Sequence, residues 1–246
     1  MLTRVHHVGL VVRRLEDGLA LWQDTLGLRV SKQAVVEDQG VKAALLPIGR
    51  SEIELLEPVN ENGGVAKFLE KRGEGLHHVC FETPDVAAEL GAAREAGFPL
   101  IDETPRPGLA GTICFLHPKG TAGVLVEFAT PPAGEHAHGA PADGPLPGLA
   151  LREIHARSRD AAAAAGLFEA KLGLDRRGQT AVVAGGVELC FVAGDGPDGL
   201  SGLALEVPDI GAATSRLGDR IATADGDRVT LRPERCHGVP IVIGRR

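Results

Sequence analysis

Two short stretches near the front of the chain carry the same potential chemistry. Val5-His6-His7-Val8-Gly9-Leu10 and Leu76-His77-His78-Val79-Cys80-Phe81 each set a histidine pair in an apolar run. Each is followed by a carboxylate enclosed by apolar residues. Glu54, in Ile53-Glu54-Leu55-Leu56, stands 47 residues after His7, and Glu127, in Val124-Leu125-Val126-Glu127-Phe128, stands 49 residues after His78. A carboxylate inside such a run belongs to a strand, where desolvating its charge is unfavourable unless a cation or donors meet it. With a side-chain period of two, Glu54 and Glu127 face away from their apolar neighbours, so both can line a cavity while those neighbours pack. Two imidazoles and two carboxylates in one repeated register imply a single divalent ion shared by two copies of a small unit. Mixed imidazole and carboxylate donors suit Zn, Mn, Co, Ni or Fe(II), and the donor set alone does not choose among them.

The elements that must position these residues repeat as well. After His7, Leu15, Leu19, Trp22 and Leu26 recur at helical spacing, and Gly27 stops the helix. After His78, Pro84 to Ala96 reads as a second helix with Pro in its first turn and Gly97 as its stop. Short β-type runs follow each helix: Val41 to Ile48 and Ser51 to Pro58, then Thr112 to His117 and Gly123 to Ala129. The expected fold class is therefore α+β, with two βαβββ units filling residues 1–131.

Residues 132–148 are dense in Pro and Gly and almost free of bulky apolar side chains, which is the composition of a linker. Its His136 and His138 are read as incidental. A domain over residues 149–246 repeats the grammar in eroded form, giving four units in two domains. Leu151 to Ser158 leads into a helical Ala161 to Lys171, and Gly199 to Ile210 aligns without a gap with Gly75 to Val86. At the four ligand positions this half is read as Glu153, Glu188, Gly202 and Val242. Two of those are not ligands, so the second domain is expected to be degenerate and metal-free, although His155 shares a strand face with Glu153. Pro240 cannot donate to a ladder, so its strand should lie at an edge or begin there.

Composition narrows the partners. The 246 residues are 43% hydrophobic and carry a formal net charge of −7. Acidic residues outnumber basic ones in both halves, 18 to 13 before residue 132 and 15 to 13 after it, which argues against nucleic acid. Cys80, Cys114, Cys190 and Cys236 form no Cys-x-x-Cys pair and are read as reduced thiols. No apolar stretch is long enough to span a membrane and the N-terminus lacks signal-peptide order, so the expected location is cytoplasmic, with no membrane partner.

Paired βαβββ units with His on a first strand and Glu on a last resemble the vicinal oxygen chelate superfamily, also known as the glyoxalase fold. Within it, residues 4–130 are similar to the methylmalonyl-CoA epimerases. The likeness rests on Gln39-Gly40-Val41, on Glu54-Leu55-Leu56-Glu57-Pro58 with Val65 to His78, and on Phe115-Leu116-His117-Pro118-Lys119 with Gly123 to Glu127. The resemblance implies His7, Glu54, His78 and Glu127 as ligands of a divalent metal. It also implies an isomerase that epimerises C2 of methylmalonyl-CoA or a similar acyl-CoA through an enolate stabilised by that metal. Two carboxylates on opposite faces of the enolate would exchange the proton: Glu127 on one, and on the other Asp38, which stands where the family usually has Glu and has Glu37 beside it. His117 and Lys119 either help bind CoA phosphates or simply build a turn on Pro118. Because epimerases of this kind are short chains that pair, the second half is expected to replace a second subunit, making the protein a monomeric pseudo-dimer, or else a homodimer. The competing readings are a glyoxalase-type lyase or isomerase acting on another thiol conjugate, and a non-catalytic binding protein of the same fold.

Overall fold

The computed structural model describes residues 1–134 and 144–246; His136 and His138 lie outside them. The first half runs β1 (Arg4–Val11), α1 (Leu15–Leu19), β2 (Lys32–Val36), β3 (Val41–Ile48), β4 (Ser51–Pro58), α2 (Gly64–Arg72) and β5 (Gly75–Glu82). It continues with α3 (Val86–Glu95), β6 (Arg106–Gly108), β7 (Gly111–Leu116) and β8 (Leu125–Thr130). The second half runs β9 (Ala150–Arg157), α4 (Ala161–Leu172), β10 (Asp175–Arg177), β11 (Ala181–Ala184), β12 (Val187–Val192) and β13 (Gly199–Val207). It ends with α5 (Ile210–Leu217), β14 (Ile221–Asp225), β15 (Arg228–Leu231) and β16 (Ile241–Arg245). Each quarter is thus a βαβββ unit, as the repeats require. Among the described residues no helix is long and apolar enough to cross a membrane.

The strands form two eight-stranded sheets of matching topology, β2-β3-β4-β1-β5-β8-β7-β6 and β10-β11-β12-β9-β13-β16-β15-β14. The match extends to small features. Each half has a 3-10 turn headed by Pro, Pro118–Gly120 and Pro233–Arg235, followed by a non-glycine residue at positive φ, Ala122 at 51° and His237 at 53°. β16 begins immediately after Pro240, so the missing amide donor falls outside the ladder, while the Pro240 carbonyl accepts from Leu203 N at 2.9 Å.

Local sequence explains most element boundaries. The periodic Leu15 to Leu26 segment is helical, but from Ala20 to Thr25 it winds as a π-helix, with Trp22 fully buried and Gly27 at φ 82° after it. The second helix differs from expectation at its start. Pro84 is outside it, and Asp85 caps it by accepting from Ala88 N at 3.0 Å, because a carboxylate oxygen can satisfy an amide left open in the first turn. Asp160 and Asp209 cap α4 and α5 in the same way.

The contacts gather into two compact units, each drawing on both sides of the linker. One holds Met1–Val8, the β5 to β8 region from His78, and Glu153–Ser201. Within it, Lys171 donates to the Ala96 carbonyl at 3.1 Å and lies over the Phe98 ring, and Phe168 packs on Phe191 with centroids 5.1 Å apart. The other holds Gly9–His77 and Gly202–Arg246. There Arg216 donates to the Thr25 carbonyl at 3.1 Å, and His237 reaches the Asp17 carbonyl at 3.2 Å and the Glu74 carboxylate at 3.3 Å.

Candidate metal centre

Adjacent strands of the first unit bring three donors together. β5 and β8 run parallel with His78 opposite Leu125 and Cys80 opposite Glu127, so His78 and Glu127 sit one step apart on neighbouring strands. Their intervening neighbours Val79, Val126 and Phe128 are buried, which fixes the alternation. From β1, His7 reaches the same place. His7 Nε2 lies 2.9 Å from His78 Nε2, and both nitrogens lie 3.0 Å from Glu127 Oε2. All three residues are buried, at 0%, 2% and 3% exposure.

This trio needs a shared proton or a cation. Two imidazole nitrogens at hydrogen-bond distance need a proton between them, and a buried carboxylate beside them needs a donor or a cation. Burial alone would push the Glu127 carboxyl up, but the charges and hydrogen bonds of His7 and His78 outweigh it and hold the group well below the usual carboxylate range. A divalent ion would satisfy all three at once, and about 3 Å is the separation of donors bound at about 2.0–2.1 Å and nearly a right angle apart. The donors present therefore fit the metal that the sequence implies.

Two neighbours orient the imidazoles. His6 Nδ1 is 2.9 Å from His7 Nδ1, so an Nδ1–H on His7 can donate to His6 and leave the His7 Nε2 lone pair facing the trio. The Phe115 ring meets the His78 ring edge to face, with centroids 5.4 Å apart. Sequence alternation had not marked His6 because it assigns neighbouring strand residues to opposite faces; the doubled His-His was the available signal.

The remaining expected site residues stand as follows. Glu54 belongs to the second unit, where it is buried at 6% exposure in β4 opposite Leu45, between the fully packed Ile53 and Leu55. Asp38, also in that unit, is exposed on the β2 to β3 turn, which is closed by Gln39 N donating to the Val36 carbonyl and Gly40 N to that of Glu37. His117 Nδ1 accepts from Lys119 N at 3.1 Å, the turn-building role expected of a residue ahead of Pro118.

One expected equivalence is shifted by two residues. Both halves close the relevant hairpin with a two-residue turn, Ile48 pairing with Ser51 and Ala184 with Val187. The Val12 amide donates to the Leu56 carbonyl just as the Ser158 amide donates to that of Val192. Counting from either landmark, Glu54 corresponds to Cys190 rather than Glu188, and His7 to Glu153.

The sequence profile of the Glyoxalase/Bleomycin resistance protein/Dioxygenase superfamily matches residues 6–116. An ethylmalonyl-CoA/methylmalonyl-CoA epimerase of Cereibacter sphaeroides is 37% identical, the match covering 52% of this chain and 98% of that protein. The solved structure of a Streptomyces coelicolor methylmalonyl-CoA epimerase variant, in complex with 2-nitronate-propionyl-CoA, superposes with a TM-score of 0.53 at 39% identity. It covers 54% of this chain and 100% of its own. A mutant 4-hydroxymandelate synthase, also from Streptomyces coelicolor, covers 100% of this chain and 93% of its own with a TM-score of 0.73 at 17% identity, a likeness of fold alone.

Proposed function

Because the chain belongs to the glyoxalase/bleomycin resistance protein/dioxygenase superfamily, we propose that it is a metal-dependent epimerase of methylmalonyl-CoA or a similar 2-substituted acyl-CoA. The observation that carries this reading is the buried trio of His7 Nε2, His78 Nε2 and Glu127 Oε2 within 3.0 Å of one another. It is supported by the 37% identity to an ethylmalonyl-CoA/methylmalonyl-CoA epimerase. His7, His78 and Glu127 would hold the ion, with Glu54 as the fourth protein donor. When bound, a divalent ion supplies positive charge where the enolate oxygen becomes negative.

The chain's own groups do the rest. Glu127 removes the C2 proton of the acyl-CoA on one face of the carbon, and Asp38 returns one to the opposite face. His6 keeps His7 in the tautomer that leaves its Nε2 lone pair available. Packed Val126 and Phe128 keep the β8 strand from rotating Glu127 away, and the same burial excludes water that would compete for the proton. The second half replaces a second subunit, so the protein works as a monomeric pseudo-dimer.

The test is to incubate the metal-loaded protein with methylmalonyl-CoA in deuterated water and follow C2 by NMR. Deuterium incorporation with inversion at C2 is expected; absence of both from a protein with a full complement of metal refutes the proposal. A glyoxalase-type lyase or isomerase acting on another thiol conjugate is the second reading. It is favoured by the exposed, shorter Asp38 in place of the usual Glu, and exchange into another thioester but not into methylmalonyl-CoA would establish it.

A further inference from the structure

The second sheet was expected to be bare of metal ligands, yet one of its faces holds a cluster with different chemistry. β9 and β12 are parallel neighbours with Glu153 opposite Glu188 and His155 opposite Cys190. Residues two apart on a strand share a face, and directly opposed residues on adjacent strands lie about 5 Å apart, so these four side chains occupy the corners of one small quadrilateral. On the other face Ile154, Ala156, Leu189 and Phe191 are at most 1% exposed, which locks both strands into the core and fixes the direction of the polar set.

The ligand atoms of Glu153, His155 and Cys190 all lie within 4.8 Å of one another. His155 Nε2 is 3.0 Å from Glu153 Oε2, and Cys190 Sγ is 4.0 Å from Glu188 Oε2. Arg177, mostly exposed, approaches the other Glu188 oxygen at 3.5 Å. We propose that Glu153, His155 and Cys190 bind a second divalent ion of the zinc class, with Glu188 beside them as a further donor. The donor set defines the class. A thiolate disfavours magnesium and calcium, whereas one sulfur, one imidazole nitrogen and one carboxylate oxygen match the usual preferences of Zn(II) and its substitute Co(II). Because all four side chains are only half buried, an ion reaches the site from solvent and water can complete its coordination. This site is independent of the epimerase reading, since it shares no residue with the trio of His7, His78 and Glu127.

The experiment uses the full chain, stripped of metal and titrated with Co(II), with stoichiometry and near-ultraviolet absorption recorded together. The wild type should take up one equivalent that gives a thiolate-to-cobalt charge-transfer band, besides any equivalent bound by His7, His78 and Glu127. Cys190→Ser should abolish that band and its equivalent and leave any uptake without the band unchanged, and His155→Ala should weaken the same equivalent by at least about tenfold. A companion measurement uses Zn(II), which should slow alkylation of Cys190 in the wild type but not in His155→Ala. No charge-transfer band in the wild type, a band that survives Cys190→Ser, or alkylation indifferent to Zn(II) would overturn the proposal and leave Glu153 and His155 as an ion pair.

Discussion

Replacing Glu127 by Gln separates its two proposed duties, because an amide oxygen can still face a cation but cannot take a proton. Consider first the metal-free protein. Glu127 is 3% exposed and meets two imidazoles at 3.0 Å. Exchanging two charge-assisted hydrogen bonds for neutral ones loses about 1 kcal/mol each, while removing a buried carboxylate relieves a desolvation penalty of several kcal/mol. The opposed signs should keep the change in stability within about 2 kcal/mol, so the variant should fold. Metal affinity should fall by about tenfold, which lowers the stabilisation by saturating metal by about 1.4 kcal/mol. Turnover at full metal occupancy should fall further, by ~10²–10⁴-fold, the usual worth of a general base. The assay pairs calorimetric metal titration and thermal melts with C2 deuterium exchange at saturating metal. If turnover and affinity drop by the same factor, Glu127 is a ligand and nothing more; if turnover survives, the proposed proton path is wrong.

Four further outcomes are expected. Asp38→Asn should retain C2 deuterium exchange on one face but lose inversion; unchanged inversion measured with a chiral substrate would return Asp38 to a solvated turn carboxylate. Burial raises the Cys114 thiol to about 12, with Asp102 and Glu127 adding to it, and raises Cys236 to about 11. Both exceed the ordinary thiol value, so their contribution to stability is full below about pH 9 and is lost as pH rises through the folded values, by up to about 1.4 kcal/mol per pH unit for each thiol in denaturant melts; a flat profile from pH 9 to 11 would contradict this. Ala122→Gly should raise stability by about 0.5–1 kcal/mol, since φ is 51° there and a Cβ is strained in the left-handed region, and an unfolding midpoint unchanged or lowered would refute it. A fragment ending near residue 131 should dimerise or aggregate, because each compact unit takes strands from both sides of the linker; a monomeric, cooperatively melting fragment on sedimentation would end the pseudo-dimer proposal.

What could be read from the sequence depended on where period-two alternation is anchored. His7, His78 and Glu127 were legible because each stands in a run of strand-forming apolar residues, Val5 and Val8, Leu76 and Val79, and Val126 and Phe128, repeated in one register. The Glu188 assignment failed because a strand slipped by two keeps its alternation intact; the register is set by the Gly185-Gly186 turn, at φ 60° and 90°, not by the strand. The start of α3 was misplaced because both Pro and Asp mark helix beginnings, and only the bond from Ala88 N to the Asp85 side chain decides between them. The His6 contact was hidden since it depends on side-chain torsions. The π-helical winding after Leu19 leaves the same hydrophobic spacing as an ordinary helix, so no pattern of residues announced it.

The way each compact unit is assembled has a consequence for synthesis. When Thr130 leaves the ribosome the first sheet is fully encoded, but the unit containing β5 to β8 also needs Glu153–Ser201, and the other needs the chain through Arg246. About 70 further residues must be made before the first unit can close, roughly 4–14 s at ~5–20 residues per second. During that interval apolar surface waits for a partner still being translated, the period in which a nascent chain is most exposed to aggregation and chaperone capture. A tethered second half ends the wait by a first-order event, set by the linker and not by how many copies the cell holds. Separately made subunits would have to find one another by collision; with the second half in place of a second subunit, as proposed above, fusion would replace a concentration-dependent step with a timed one.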